Sequence, residues 1–169
     1  MTWKHGLFAI GCLALLVSVS AGPLDDKSPA YFVDHYGPAK SGETVGKHAF
    51  VHTRRGAITV KGQFNTREFR KDDLIVHAVF FLPSLQPAAV RLQMNRQWTV
   101  EQIEAALAAY GGDWKPVSRN GIVNSWVAPD GAMAISMLTW LDIQSKAIVD
   151  LTAKTLAEDD AKQKAVPRF

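Results

Sequence analysis

The chain has 169 residues, a formal net charge of +3 and one cysteine, Cys12. So small a charge gives no reason to expect nucleic acid or a membrane surface as partner, and one cysteine can form neither an internal disulfide nor a cysteine metal cluster. A chain this long buries roughly two-thirds of its unfolded surface without covalent staples, so one compact domain or two small fused halves is expected.

The start reads Met1-Thr2-Trp3-Lys4-His5, followed by an almost unbroken apolar run from Leu7 to Val19 and small residues at Val19 and Ala21. A basic start, an apolar segment of this length and small residues at −3 and −1 predict a signal peptide over residues 1–21, cleaved near Ala21. The run is short for a membrane anchor, which needs roughly 20 apolar residues. Export to the periplasm or the medium is therefore expected, with no transmembrane anchor after processing. Ala9-Ile10-Gly11-Cys12 faintly resembles a lipoprotein processing site, but there the apolar region precedes the cysteine, whereas here Leu13 to Val19 follows it. Cleavage after Ala21 removes Cys12, and with it any thiolate chemistry.

Ser28-Pro29 reads as a helix start and Tyr36-Gly37-Pro38 as its stop, which predicts a helix over Pro29 to Tyr36. The stretches Lys47 to Thr53, Ala57 to Phe64, Leu74 to Leu82 and Ala88 to Met94 then alternate as strands, with Arg54-Arg55-Gly56 a hairpin turn. The charged insertion Asn65 to Asp73 is expected to be a surface loop. Thr99 and Gln102 have capping-box spacing before a stripe of Ile103, Leu107 and Tyr110, and Gly111 ends that second helix. Asn124 to Ala128, Gly131 to Met137 and Thr139 to Ser145 predict three more strands, turning at Pro129-Asp130-Gly131. Ile148, Leu151, Thr155 and Leu156 suit one face of a terminal helix from Lys146 to Ala165.

Both early helices stop at Tyr-Gly, Tyr36 to Tyr110 is a step of 74, and Gly56 to Gly131 is a step of 75. Spacing kept without residue identity predicts two imperfect copies of one helix-plus-meander unit. The expected fold is α+β, with helices on one face of an antiparallel sheet and a C-terminal helix. Its divisions are a signal peptide (1–21), a first repeat (22–96), a second repeat (97–146) and a helix and tail (147–169).

This order, with "GAITV", "LIVHAVFFLP", "DGAMAI" and "LDIQS" in it, resembles small secreted bacterial proteins of uncharacterised function. More remotely it is similar to the tandem modules of beta-lactamase inhibitory protein and the single module of the SmpA/OmlA lipoproteins. The resemblance covers Ser28 to Ser145 and rests on order and spacing. It implies a sheet whose open face contacts other proteins. The processed chain departs from the inhibitor in having no cysteine and from the lipoproteins in lacking their lipidation cysteine, and no functional residue is carried over.

Among candidate chemistries, His48 and His52 are four apart, but on a strand that spans about 13 Å, too far to share an ion. His77 lies in an apolar strand, where a packed histidine is usual, and His35 adjoins Asp34 on a helix without facing it. No G-x-S-x-G elbow, phosphate loop, H-E-x-x-H or calcium loop is present. No catalytic residue, metal or cofactor is assigned, although a triad converging from distant segments stays open. The segment Lys47 to Arg96 holds nine basic and three acidic residues, so an anionic small molecule or lipid is a further candidate ligand. Within it Arg67, Arg70 and Lys71 alternate with Glu68, Asp72 and Asp73, a self-neutralising pattern.

Strand alternation places Trp126 with Asn124, and Trp140 with Asp142 and Gln144, opposite Val127, Leu141 and Ile143. If the aliphatic faces take the helices, both tryptophans lie on the open side, extended by Lys61 and Arg91. A one-residue slip reverses that assignment and makes them core. Aromatic anchors among polar groups are the makings of a protein-binding surface. The sequence thus favours a non-catalytic binding or envelope-associated module with an envelope or secreted protein as partner, over a hydrolase with a polar site outside the known motifs.

Overall fold

Pro29 at the first helical position and Gly37 beyond the last set the bounds of α1 (Pro29–Tyr36). These are read from a computed structural model that describes residues 22–40, 43–119 and 121–165. The predicted signal peptide lies outside the described residues. Ser28 stands at the N-cap in extended conformation without a side-chain cap bond; Pro29, having no N–H, leaves the first turn with one fewer unpaired donor. α2 (Val100–Tyr110) has the full capping box, with Gln102 N–H donating to Thr99 Oγ1 at 3.3 Å and Thr99 N–H to Gln102 Oε1 at 3.1 Å. Gly37 and Gly111, with φ of 82° and 80°, turn the chain out of the two helices in the same way, a backbone conformation that glycine adopts without a Cβ clash.

Eight strands form one antiparallel sheet in the order β1-β2-β3-β4-β8-β7-β6-β5. β1 (Thr44–Thr53), β2 (Gly56–Lys71), β3 (Leu74–Phe81) and β4 (Pro87–Gln93) follow α1. β5 (Lys115–Arg119), β6 (Val123–Val127), β7 (Met133–Met137) and β8 (Trp140–Gln144) follow α2, and α3 (Lys146–Ala165) ends the described chain. The two meanders meet at their last strands, β4 and β8, in the register Arg91 to Asp142. The α+β class, the antiparallel sheet and the C-terminal helix are as expected.

Two strand assignments need correction. β5 was not among the three strands expected after the second helix; its Pro116 is tolerable because an edge strand leaves one side of its backbone unpaired. The expected charged loop Asn65 to Asp73 is mostly the second half of β2, paired with β3 from Phe64–Phe81 to Lys71–Leu74. Its charges hide the alternation: Phe69 is fully buried, while Arg67 spreads over the Phe80 ring at 5.7 Å and pairs with Glu43. A consequence is that the Gly56 turn joins the first and second strands of its half, whereas the Gly131 turn joins the second and third. The step of 75 does not relate equivalent turns.

The main core lies between one face of the sheet and α1 with α2. Phe32 stacks on Phe69 at 5.7 Å and meets Phe80 edge-on at 5.6 Å, while Ile103, Leu107 and Tyr110 of α2 cover Leu141, Ile143 and Trp126. β2 is too long for this layer. Its first part, Gly56 to Lys61, pairs only with β1, forming a two-stranded arm. Val51, Val60 and Phe64 pack with Ile148 and Leu151 of α3 in a second, smaller cluster. The arm bends across the sheet face opposite α1 and α2, where Arg54 donates to Ser125 Oγ (3.0 and 2.7 Å) and Gln144 donates to the His52 carbonyl at 2.7 Å.

Candidate functional site

In-register neighbours of antiparallel strands share a face, so Glu68, His77, Arg91 and Asp142 form one row across β2, β3, β4 and β8. The arm brings His52 onto this row. Arg91 donates through Nε to Asp142 Oδ1 (2.7 Å) and through Nη2 to Oδ2 (3.0 Å), and His52 Nδ1 lies 2.8 Å from the same Oδ2. Nη2 of Arg91 also touches His52 Nδ1. That nitrogen donates to Asp142 when it carries the ring proton and accepts from Arg91 when it does not. Burial alone would push the Asp142 carboxyl up, but the bonds from His52 and Arg91, with the guanidinium charge, outweigh it and hold the group below the usual carboxylate range.

Between arm and sheet, beside this cluster, is a pocket of about 210 Å³. Its walls include Ala49 and Val51 from the arm and Val79 and Ala89 from the sheet, and Phe50, 72% exposed, stands at its rim. The polar lining is Thr66, His77, Arg91, Asp142 and Gln144, with His48 from the arm. His77 is held below the usual imidazole range chiefly by burial, assisted by the charges of Arg91 and Arg70 against the pull of Glu68, whose Oε2 is 3.9 Å from Nδ1. Arg91, Thr66 and Gln144 line the pocket, and among the described residues Nη1 of Arg91, the Thr66 hydroxyl and the amide oxygen of Gln144 make no hydrogen bond to protein.

Of the four expected site residues, the structure brings two together. The Trp140 ring lies 4.3 Å from the His52 ring and 5.4 Å from the Arg91 guanidinium carbon, on the arm side of the sheet. Trp126 is corrected: it is 1% exposed and packs beneath α2. Its companion Asn124, read as a mark of the open side, is itself buried on the helix side, so a polar neighbour misreported the face. Lys61 is exposed in a recess against α3 with Leu151 and Glu158, away from the Arg91 pocket. The sequence reading did not single out Phe50, or a site role for His77 and Gln144. The signals for this row were Arg91, expected on the open side, and Asp142, an acid set between Leu141 and Ile143.

Other candidates resolve into structure. Arg67 pairs with Glu43, Arg70 with Glu68 at 2.8 Å, and Lys71 donates to the His35 carbonyl at 3.1 Å. The basic cluster is thus spent on local partners. His48 and His52 do lie on a strand, and no group of three or more potential metal ligands occurs among the described residues. Nor, among them, is any helix long and apolar enough to cross a membrane. A second apolar group, Val100, Ile122 and Leu138, is exposed around a recess that reaches Trp98. No family model, no curated protein and no solved structure matches the chain.

Proposed function

We propose that the protein is an exported, non-catalytic binding module that presents the pocket between arm and sheet to a partner in the cell envelope or the secreted fraction. The observation that carries this reading is the pocket's composition: apolar walls, an exposed aromatic at the rim and unspent polar groups inside. Exposed aromatics beside such groups are typical anchors of recognition sites. Export rests on the reading of residues 1–21, and the two halves are read as copies of one module from their matching element order and Tyr-Gly helix ends. The test is a crosslinked capture from the envelope and secreted fractions with the purified protein, beside Phe50→Ser and Ala89→Leu, the latter filling the pocket. A protein held by the parent and lost from both folded variants supports the reading. Equal capture by all three removes it.

A hydrolytic reading draws on the 2.8 Å contact of His52 with Asp142, since such a pair can serve as base and orienter. Against it, Arg91 already takes both oxygens of Asp142, and the hydroxyl in the pocket lining, that of Thr66, makes no hydrogen bond to His52. Turnover of a simple ester by the purified protein, abolished in His52→Ala and Thr66→Val, is what this reading requires; a rate equal to buffer alone ends it.

A further inference from the structure

We propose that the pocket takes one carboxylate carried on a small apolar group. This deepens the binding-module reading and rests on it.

The argument starts from what Arg91 has left. Its Nε and Nη2 edge is committed to Asp142, while Nη1, the Thr66 hydroxyl and the His77 ring remain as donors on residues that line the pocket. A planar guanidinium offers donors on more than one edge, so a second carboxylate is a geometrically natural partner. The walls decide what carries it. Val51, Val79 and Ala89 are aliphatic, and the volume of about 210 Å³ exceeds the roughly 150 Å³ cavity that holds benzene. A short alkyl chain, a small ring or a leucine-sized side chain fits that space.

One guanidinium cannot neutralise two carboxylates, and Asp142 already has one. The second charge comes from the imidazoles. His77 faces Glu68 and Arg70 from β2, Arg91 from β4 and Asp142 from β8; from β1, His48 lines the pocket and His52 stands beside it on Asp142. Burial disfavours the protonated form of His77; an arriving carboxylate favours it. Binding therefore takes up a proton. By linkage, affinity rises as pH falls, by at most about tenfold per pH unit for one proton.

The same chemistry has two sources, a free small acid or the C-terminal residue of a partner chain. Titration calorimetry on the purified protein separates them, with hexanoate, hexanamide and hexylamine as one arm. The other arm uses a six-residue peptide ending in a free leucine carboxylate and the same peptide amidated. The expected result is binding of hexanoate or of the free-acid peptide, at least about tenfold tighter than its amide counterpart, the difference one charge-assisted contact produces. The enthalpy at pH 7 should vary with buffer ionisation heat in the sense of proton uptake, and His77→Gln should abolish that variation while remaining folded. Tighter binding of the peptide than of hexanoate identifies a chain terminus as the source, and the reverse a free acid. Equal binding of acids and amides, tighter binding of hexylamine, or no binding of any probe overturns the proposal. If partner capture still depends on Phe50 and Ala89 in that event, the binding-module reading survives and the ligand class alone is wrong.

Discussion

The hydroxyls of Tyr36 and Tyr110, 74 positions apart in the chain, lie 3.0 Å from each other. Each tyrosine is the last residue of its helix and each is followed by a glycine of positive φ, so the ends of α1 and α2 meet through a like pair. Burial pushes both phenols above their ordinary range, and each hydroxyl is the other's partner in a largely apolar layer.

Removing one member of this pair should hurt more than removing both. Tyr36→Phe leaves the buried Tyr110 hydroxyl without its partner, which costs about 1–3 kcal/mol. The double variant Tyr36→Phe/Tyr110→Phe carries no orphan and should recover part of that loss. Urea unfolding of the four proteins measures the coupling, which should be about 1 kcal/mol in favour of the pair; additive losses would mean that the bond contributes nothing.

The Arg91–Asp142 pair should behave as a buried charge pair. Asp142 is 4% exposed, so Arg91→Met leaves a carboxylate whose remaining donor is His52, at a cost of about 3 kcal/mol. Arg91→Met/Asp142→Leu removes both charges and should be less destabilised than Arg91→Met alone. Chemical denaturation at pH 7 checks the order.

Acid should weaken the fold in two separate windows. The folded His77 has its pKa lowered from about 6.5, so the unfolded chain binds more protons below that value. Stability is full above it and falls as pH drops through the folded pKa. Asp142 is also lowered; its contribution is present above the unfolded carboxylate value of about 3.9 and is lost only below it. His77→Phe should flatten the upper window and leave the lower one, as followed by midpoint temperature from pH 8 to pH 3. Equal pH profiles for parent and variant would show that His77 titrates alike in both states.

How much of this was legible depended on the range over which each feature is encoded. Both early helices were readable to the residue because Pro29, Gly37, Thr99, Gln102 and Gly111 act within one turn of where they stand. The second half of β2 was not, since Arg67, Glu68, Arg70 and Lys71 mask the single aromatic anchor, Phe69. The pocket was beyond local reading. His52 and Asp142 are 90 positions apart, and only the bend of an overlong β2 across the sheet joins them. Face assignment succeeded for Trp140, flanked by apolar Leu141 and Ile143 on the other side. It failed for Trp126, where Asn124 and Ser125 are both buried and no contrast between faces remains.

The two tryptophans should therefore separate by experiment. Trp126→Ala empties space beneath α2 and should cost about 3–5 kcal/mol. Its indole Nε1 has no hydrogen-bond partner among the described residues, so Trp126→Phe forfeits volume but no bond and should cost much less. Trp140→Ala removes a ring from a partly exposed position beside His52 and Arg91. It should disturb the pocket more than the fold. Urea midpoints paired with binding titrations distinguish them, and a larger stability loss for Trp140→Ala would contradict the packing described.

Leu138 offers a gain rather than a loss. It occupies the turn between β7 and β8 at a φ of 52° and is half exposed. A branched side chain in the left-handed region costs about 1–2 kcal/mol against an ordinary conformation, and an exposed leucine recovers little of that by packing. The turn is held regardless, because Trp98 N–H donates to the Leu138 carbonyl at 3.0 Å and Trp98 Nε1 to the Thr139 carbonyl at 3.0 Å. Leu138→Gly relieves the Cβ clash but adds freedom to the unfolded chain, so the net gain should be about 0.5–1 kcal/mol. Leu138→Asn, which tolerates the same backbone, should gain a similar amount. A stabilised variant that loses partner capture would place the recess around Val100 and Ile122 in contact with the partner, because strain of this kind persists where function requires it. A destabilised Leu138→Gly would mean that the leucine side chain is itself holding the turn.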